Sequence, residues 1–176
     1  MSTFFSPSLV LVNRHATESA FKRQAEHFEI IHLATHGFFD KLNPMFSGVQ
    51  LEPDAENDGR LHVHEILRLQ LDARLVTLSA CETALGSGYF SDYPAGDDFV
   101  GLTRAFLVAG SSGVVATLWE VNDRSSLRFM RSFYRNLHEI HAATALREAQ
   151  LEMLHSGGPY RPPYYWAPFV LVGGTK

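Results

Sequence analysis

Two apolar runs that end on reactive side chains constrain this chain more than any other feature. Leu75–Ala80 leads directly into Cys81, and Ile30–Ala34 leads into His36 and Gly37. Continuous apolar, β-branched runs of this length are typical of parallel strands that are covered on both faces. Because ligands collect beyond the carboxyl ends of such strands, the sequence predicts that a thiol and an imidazole reach the same edge of one sheet.

The composition is typical of one globular domain over residues 1–176. The chain is 45% hydrophobic and 19% charged, so it can form a buried core. Its net charge is −4 and it has no basic block, which argues against nucleic acid as a partner. No run is long enough to span a membrane and the N-terminus shows no signal peptide. We therefore predict no membrane partner and a cytoplasmic location.

Strand and helix patterns alternate along the chain, which predicts an α/β fold with a mostly parallel sheet flanked by helices. The strands are expected at Ser8–Val12 (weakly), Ile30–Ala34, Val49–Leu51 (a short one within a loop), Leu75–Ala80, Gly113–Leu118 and Trp166–Val172. Helices are expected after Thr17, within Leu61–Leu69, over Asp98–Ala109, after Asp123 or Ser125, and over Thr144–Leu154. Helical spacing places one apolar set on one side of the third of these helices and a second set inward on the fourth: Leu102, Ala105, Phe106 and Ala109, and Leu127, Met130, Phe133, Tyr134 and Leu137. A surface loop is expected over Gly86–Asp97.

Cys81 and His36 are the candidate catalytic pair. A neighbouring imidazole lowers the pKa of a thiol, and the same ring can take up the thiol proton and pass it to a leaving amine. The backbone N–H groups of Gly37 and Cys81 are candidates for an oxyanion hole. The pattern alone leaves an alternative open, since most free cysteines are small buried hydrophobic residues.

Six runs of the sequence together resemble one known family. The chain closely resembles the CHAT domain, a bacterial caspase-like family related to separases, through IIHLATHG, LVTLSACET, GLTRAFLVAGSSGVVATLWEVND, FMRSFYRNL, ALREAQLEML and YYWAPFVLVG. The similarity extends from Ala16 to Gly173. It implies a caspase-like three-layer α/β sandwich and a cysteine endopeptidase that hydrolyses peptide bonds in a protein or peptide substrate. It also implies that His36 is the catalytic His of the ATHG motif and Cys81 the catalytic Cys of the SACET motif.

The resemblance also shows one departure from the family pattern. The family domain usually has further strands and helices before the segment that matches Ala16, and its members often carry helical TPR repeats. We therefore expect a partial domain, with a missing N-terminal region or a TPR-type regulatory partner. A second function stays open on this basis: a catalytically inactive CHAT-like interaction module, or part of a larger TPR-CHAT protein.

An acidic pair is the candidate for substrate selection. In separases, which cleave after Arg, an acidic residue in the segment that matches Leu118–Asp123 holds the side chain before the cleaved bond. The resemblance therefore makes Asp123 and Glu120 candidates to bind a basic side chain, for which a carboxylate offers two parallel hydrogen bonds. Asp123 is equally well placed to cap the next helix. Asp97 and Asp98 are weaker candidates for the same pocket.

The remaining polar motifs are poor candidates for a site. His62, His64 and Glu65 are loosely spaced and have no Cys partner, so we predict no metal. Gly86-Ser87-Gly88 lacks the remainder of a phosphate-binding loop, and we predict no cofactor. Asp40 either orients His36 or is an ordinary loop carboxylate. His32 is expected to be a core residue.

Overall fold

The polypeptide alternates between strands and helices, and the computed structural model describes residues 4–40, 42–79 and 97–174, with only the backbone for residues 97–100. The strands are β1 (Ile30–Leu33), β2 (Gly37–Phe38), β3 (Gly48–Gln50), β4 (Arg60–His62), β5 (Leu75–Leu78), β6 (Gly113–Thr117) and β7 (Phe169–Gly173). The helices are α1 (Glu18–Gln24), α2 (Val63–Ile66), α3 (Asp97–Val108), α4 (Asp123–Leu137) and α5 (Ala142–His155).

A four-stranded sheet in the order β1-β5-β6-β7 forms the centre of the fold. β5 runs parallel to both β1 and β6, whereas β7 is antiparallel to β6. Every residue of β5 and β6 is buried, as the continuous apolar runs predict. Successive strand side chains point to opposite faces, so one apolar cluster includes α2 and α3 and the other includes α4 and α5. The prediction of a mostly parallel sheet flanked by helices, consistent with a caspase-like fold, is confirmed.

A second, three-stranded antiparallel sheet in the order β2-β3-β4 follows β1. The short strand expected near Val49 is present as β3, and its register places Val49 beside Gly37 and Leu61. β2 and β4 were not predicted. Both are only two or three residues long, too short to show an alternating pattern.

Two expected strands differ from the observed ones. Ser8–Val12 is irregular rather than a strand; Val10 and Val12 are 61% and 58% exposed. In the described part of the chain no strand pairs with this segment, so its apolar residues alone do not make it one. The last strand begins at Phe169 rather than Trp166, because a short 3₁₀ turn at Pro163–Tyr165 comes before it.

The helices bury most of the predicted positions. Thr17 caps α1 by accepting a hydrogen bond from the N–H of Ala20 at 3.2 Å, as predicted. The chain leaves α3 at Gly110, where φ is 113° and an added Cβ would lie 2.0 Å from the carbonyl oxygen of Leu71. Leu127 is 53% exposed rather than inward, and Phe129 is buried on α4. Among the described residues, no helix is both long and apolar enough to cross a membrane.

Candidate active site

The carboxyl ends of three neighbouring strands meet at one edge of the central sheet. β1 and β5 are in register, with Leu33 beside Leu78, and the N–H of Ser79 donates to the carbonyl oxygen of Leu33 at 2.9 Å. His36 and Cys81 each follow the last residue of their strand by three positions. Cys81 lies outside the described residues, so the dyad stays a prediction. The strands that precede its two members are hydrogen-bonded neighbours.

The turn that carries His36 is bound to β3 by two contacts. The hydroxyl of Thr35 donates to the carbonyl oxygen of Gln50, and the N–H of Gln50 donates to the carbonyl oxygen of His36 at 2.8 Å. These bonds fix the backbone on both sides of the His36 Cα. The imidazole itself is exposed. The imidazole is therefore accessible to a substrate, while the backbone that carries it is held by hydrogen bonds to β3.

The backbone N–H of Gly37 points away from β3. In an antiparallel pair, residues that exchange backbone hydrogen bonds alternate with residues that do not. The bond from Gln50 to His36 makes that pair the bonded one, so the next pair, Gly37 with Val49, is the non-bonded one. β2 is an edge strand in the described part of the small sheet. The predicted oxyanion donor at Gly37 is therefore not used by the ladder; the other predicted donor, at Cys81, lies outside the described residues.

An open groove of about 510 Å³ lies beyond the end of β6. It is lined by Glu120, Val121, Asn122, Arg124, Tyr160, Tyr164 and Tyr165. Two hydrogen bonds hold its two sides together: the indole N–H of Trp119 donates to the carbonyl oxygen of Tyr164 at 3.0 Å, and the N–H of Leu118 donates to that of Pro168 at 3.0 Å. The tyrosines of this groove were not predicted to be binding residues. Their clustering, Tyr160 on Tyr165 and Tyr164 on Tyr165, depends on the turn that precedes β7.

The two acidic candidates occupy different positions at this edge. Glu120 is exposed and lines the groove, whereas Asp123 is the exposed first residue of α4 and is absent from the lining. The prediction that Asp123 or Ser125 caps α4 is wrong. Asn122 has the extended backbone of a capping residue, and its side chain accepts a hydrogen bond from the N–H of Arg124 at 3.0 Å. The carboxylate of Asp123 is therefore not required for the cap. The weaker candidates Asp97 and Asp98 have no described side chains.

Two other sequence candidates have structural contacts. Asp40, which was considered as a residue that orients His36, accepts hydrogen bonds from the N–H groups of Leu42 and Asn43 at 3.0 and 2.9 Å. These bonds close a local turn after the His36 loop. Asp40 is the ordinary loop carboxylate of the two interpretations.

The His62–Glu65 segment is also engaged in local structure. The Nδ1 atom of His62 lies 2.7 Å from the carbonyl oxygen of Phe46, and the carboxylate of Glu65 contacts the Lys22 ammonium at 2.8 Å. Burial raises the pKa of Glu65, but the hydrogen bonds from Lys22 and from the N–H of His62 outweigh it and hold the pKa below its usual value. Within the described ranges, no three His, Cys, Asp or Glu side chains are grouped to hold a metal ion.

A chain of polar side chains links β1, α4 and β5. The Nδ1 atom of His32 lies 2.8 Å from the hydroxyl of Tyr134, which donates to the hydroxyl of Thr77 at 2.9 Å. Burial lowers the pKa of His32 to about 4 and raises that of Tyr134 well above its usual range. Among the described residues, the Nε2 atom of His32 has no hydrogen-bond partner. His32 is half-buried, with its Nε2 atom shielded from solvent, and its link to α4 has no signal in the sequence.

Comparison with known proteins agrees with this architecture. The family model described as CHAT domain matches residues 3–174. Tetratricopeptide repeat protein 28 of Mus musculus is 36% identical over 110 residues, and its Homo sapiens counterpart is 34% identical over 110 residues. Each alignment covers 62% of this chain but only 4% of the relative. Both relatives are mammalian, so they give no support to the expectation of a bacterial family.

Proposed function

The chain belongs to the CHAT domain family, which is a caspase-like peptidase family, and on this premise we propose that it is a cysteine endopeptidase. Cys81 is the nucleophile and His36 is the general base. The observation that carries the proposal is the parallel pairing of β1 with β5, which brings the carboxyl ends of the two strands to one edge. A nucleophile and a base within hydrogen-bond reach of each other are what thiol catalysis requires. A single cysteine that acts as a nucleophile suits a reducing cytoplasmic compartment.

The proposed reaction has two stages. His36 takes the proton of Cys81, and the thiolate attacks the carbonyl carbon of the peptide bond. The tetrahedral intermediate collapses as His36 gives its proton to the leaving amine, and a thioester remains on Cys81. A water molecule then attacks the thioester with His36 as base, which releases the acid product and restores the thiol. The exposed position of the His36 ring is compatible with both proton transfers.

The negative oxygen of the intermediate requires hydrogen-bond donors. We assign this role to the N–H groups of Gly37 and Cys81. The register of β2 on β3 supports the choice of Gly37, because it directs this N–H away from the ladder. Donors of this kind contribute about 3 kcal/mol each to stabilisation of the transition state in well-studied hydrolases.

The proposed specificity is for a basic residue before the cleaved bond, with Glu120 and Asp123 as its carboxylate partners. Glu120 lines the groove beyond β6, and Asp123 is not used as the cap of α4. Arg124 lines the same groove, and its positive charge would repel a cationic side chain. Two carboxylates would offset this charge: Glu120 from the lining of the groove, and Asp123 from the exposed first position of α4, outside the lining.

Replacing Asp123 with alanine should lower kcat/KM on an Arg peptide by roughly tenfold to hundredfold, because a charge-assisted hydrogen bond contributes roughly 1.5–3 kcal/mol. Stability should fall by only about 0.3–1 kcal/mol, through the loss of a carboxylate from the first turn of α4. The measurement is kcat/KM on matched Arg and Leu peptides, with Glu120→Ala in parallel and the exposed Glu139→Ala as control. Equal losses on the Arg and Leu peptides would argue against the pocket.

Covalent labelling tests the proposed function directly. A peptidyl acyloxymethyl ketone should modify the full chain once, at Cys81, as located by mass spectrometry of the digested protein. His36→Ala should slow this labelling by at least about tenfold, because without the neighbouring imidazole a smaller fraction of Cys81 is in the reactive thiolate form. His155→Ala, an exposed histidine on α5, is the matched control and should label like the wild type.

The second candidate function is a non-catalytic interaction module. It is favoured by the two relatives, which are named as tetratricopeptide repeat proteins and of which this chain spans about 4%. In this function, the fold binds a TPR-type partner and the dyad is not assembled. If a small alkylating agent modifies Cys81 but the peptidyl ketone does not, or if His36→Ala leaves the rate unchanged, this function replaces the peptidase.

A further inference from the structure

A line of four arginines runs along the exposed face of α4. They are Arg124, Arg128, Arg131 and Arg135, and all four are exposed. Spacings of four, three and four residues place side chains on one face of a helix. The opposite face is buried and includes Phe129, Phe133 and Leu137. At 1.5 Å per residue the arginine line is about 16 Å long, which an extended peptide spans with about five residues.

The charge of this arginine line is mostly uncompensated. Arg135 forms an ion pair with Glu152 of α5 at 2.6 Å. Arg124, Arg128 and Arg131 form no ion pair in the part of the chain that the structure describes, although the charge of Arg128 helps to lower the pKa of Glu152. Asp123 is the sole acidic residue of α4, and the residues three and four positions after it are Ser126 and Leu127, so the helix has no carboxylate spaced to pair with an arginine of this face.

This arrangement has a cost in the isolated chain. Like charges three or four residues apart on a helix repel each other, and Arg124 places a positive charge in the first turn, where the helix dipole disfavours it. An anionic group bound along the arginine line would reduce both the repulsion between the arginines and the unfavourable interaction of Arg124 with the helix dipole. Such a face is therefore better suited to a bound partner than to solvent.

We propose that the arginine line is a docking surface for an acidic protein segment. Leu127 lies on the same face and is 53% exposed, so the surface offers an apolar contact among the cations. A segment with carboxylates around a leucine-like side chain matches both features. The net charge of −4 disfavours a long polyanion such as RNA, and the apolar side of α4 is packed in the core and unavailable to a membrane.

The arginine line also connects with the candidate active site. Arg124, its first member, lines the groove beyond β6. A segment bound along α4 therefore ends beside that groove. The protein that carries the segment, a substrate or a regulator, is thereby brought next to the candidate active site. The docking surface does not depend on the chemistry of Cys81. Binding and cleavage can therefore fail separately.

The test is binding of a fluorescent peptide in which glutamates and aspartates surround a central Leu-Leu pair. Fluorescence anisotropy with the full chain should show saturable binding that weakens as salt is added. Arg128→Glu with Arg131→Glu should weaken it at least about tenfold, since two attractive contacts become repulsive. The matched control is Arg68→Glu with Arg104→Glu, which makes the same change in net charge on exposed residues of the opposite side.

Leu127→Ser tests the apolar contact. It should weaken binding of the leucine peptide but leave unchanged the binding of a peptide with serines in place of the leucines. Thermal unfolding of each variant checks that the fold is intact. Equal binding by the Arg128/Arg131 variant and the Arg68/Arg104 control would overturn the proposal. A chain that binds an RNA oligonucleotide or a phosphatidylserine vesicle through the arginine line, but not the acidic peptide, would overturn it in favour of that other partner class.

Discussion

Cys81→Ala should lower kcat/KM for peptide cleavage by at least about 10⁴-fold, because removal of a nucleophile leaves only binding and oxyanion stabilisation. His36→Ala should cause a loss of similar size, since residues that act as one catalytic unit do not contribute additively. The measurement is the rate of cleavage of a fluorogenic peptide library by purified full chain, with the wild type beside each variant.

His62→Ala is the matched histidine control for this experiment. Its ring is half-buried in the small sheet and contacts Phe46, so it shares the neighbourhood of β2 without following β1. His62→Ala should cleave the peptides at the wild-type rate once the rate is corrected for the fraction of folded protein. If Cys81→Ala cleaves as fast as the wild type, the cleaving activity belongs to another group or to a contaminating peptidase, and the proposed mechanism is wrong.

Protonation of His32 should lower the free energy of unfolding by about 3 kcal/mol as the pH falls from 6.5 to about 4. These limits are the ordinary pKa of a histidine and the pKa of His32 in the folded protein. Burial favours the neutral ring, so the folded state binds a proton less readily than the unfolded state. The contribution is therefore complete above pH 6.5 and is lost as the pH falls toward 4. His32→Gln keeps an N–H for the hydroxyl of Tyr134 but cannot take up a proton, so its stability should be flatter over this window.

Urea unfolding at a series of pH values measures this effect as the difference between wild type and His32→Gln. The interval from about pH 7 to pH 5 is the most informative, because histidines titrate there and most carboxylates do not. His155→Gln replaces an exposed histidine and should follow the wild-type curve. A difference that is constant over the interval would show that protonation of His32 does not limit acid stability.

Carboxylates should add a separate loss at lower pH. Hydrogen bonds from the N–H groups of the 54–57 turn and from Ser19 hold the pKa of Asp54 below its usual range. The hydroxyl of Ser132 and the charge of Arg135 likewise lower the pKa of Glu152. For groups with a lowered folded pKa, stability is present above the unfolded pKa and is lost as the pH falls below it. This second loss begins at about pH 5 and overlaps the lower end of the window in which His32 acts, so the interval from about pH 7 to pH 5 is the one that isolates His32.

Local patterns were sufficient for the central sheet and most of the helices. The apolar runs predicted β1, β5 and β6 to within one or two residues at each end, because apolar and β-branched residues dominate strands in the middle of a parallel sheet. β5 and β6 are buried throughout as expected, whereas β1 at the edge of the described sheet is buried only at alternate residues, so the expectation that it is covered on both faces is wrong. The helical spacing of Leu102, Ala105, Phe106 and Ala109 predicted the buried face of α3, and all four residues are buried. The resemblance to the CHAT domain then gave the family, which the family model also matches.

Other features required packing between distant segments. α4 was predicted, but its cap was assigned to Asp123 or Ser125 rather than Asn122, since all three residue types suit the position. Leu127 was expected inside because it is apolar, yet its position on the helix places it among the arginines. The arginines are spread over twelve positions, so the sequence shows no basic block until the helix aligns them.

The sequence by itself determined which segments form the core strands and which faces of the helices are buried, because both follow from the local spacing of apolar residues. Only the tertiary structure decided that the N–H of Gly37 points away from β3, that His32 contacts Tyr134 of α4, and that Glu152 of α5 forms an ion pair with Arg135 of α4. Each of these depends on how separate elements pack, and the distances between them are not encoded in the spacing of residues within any one element.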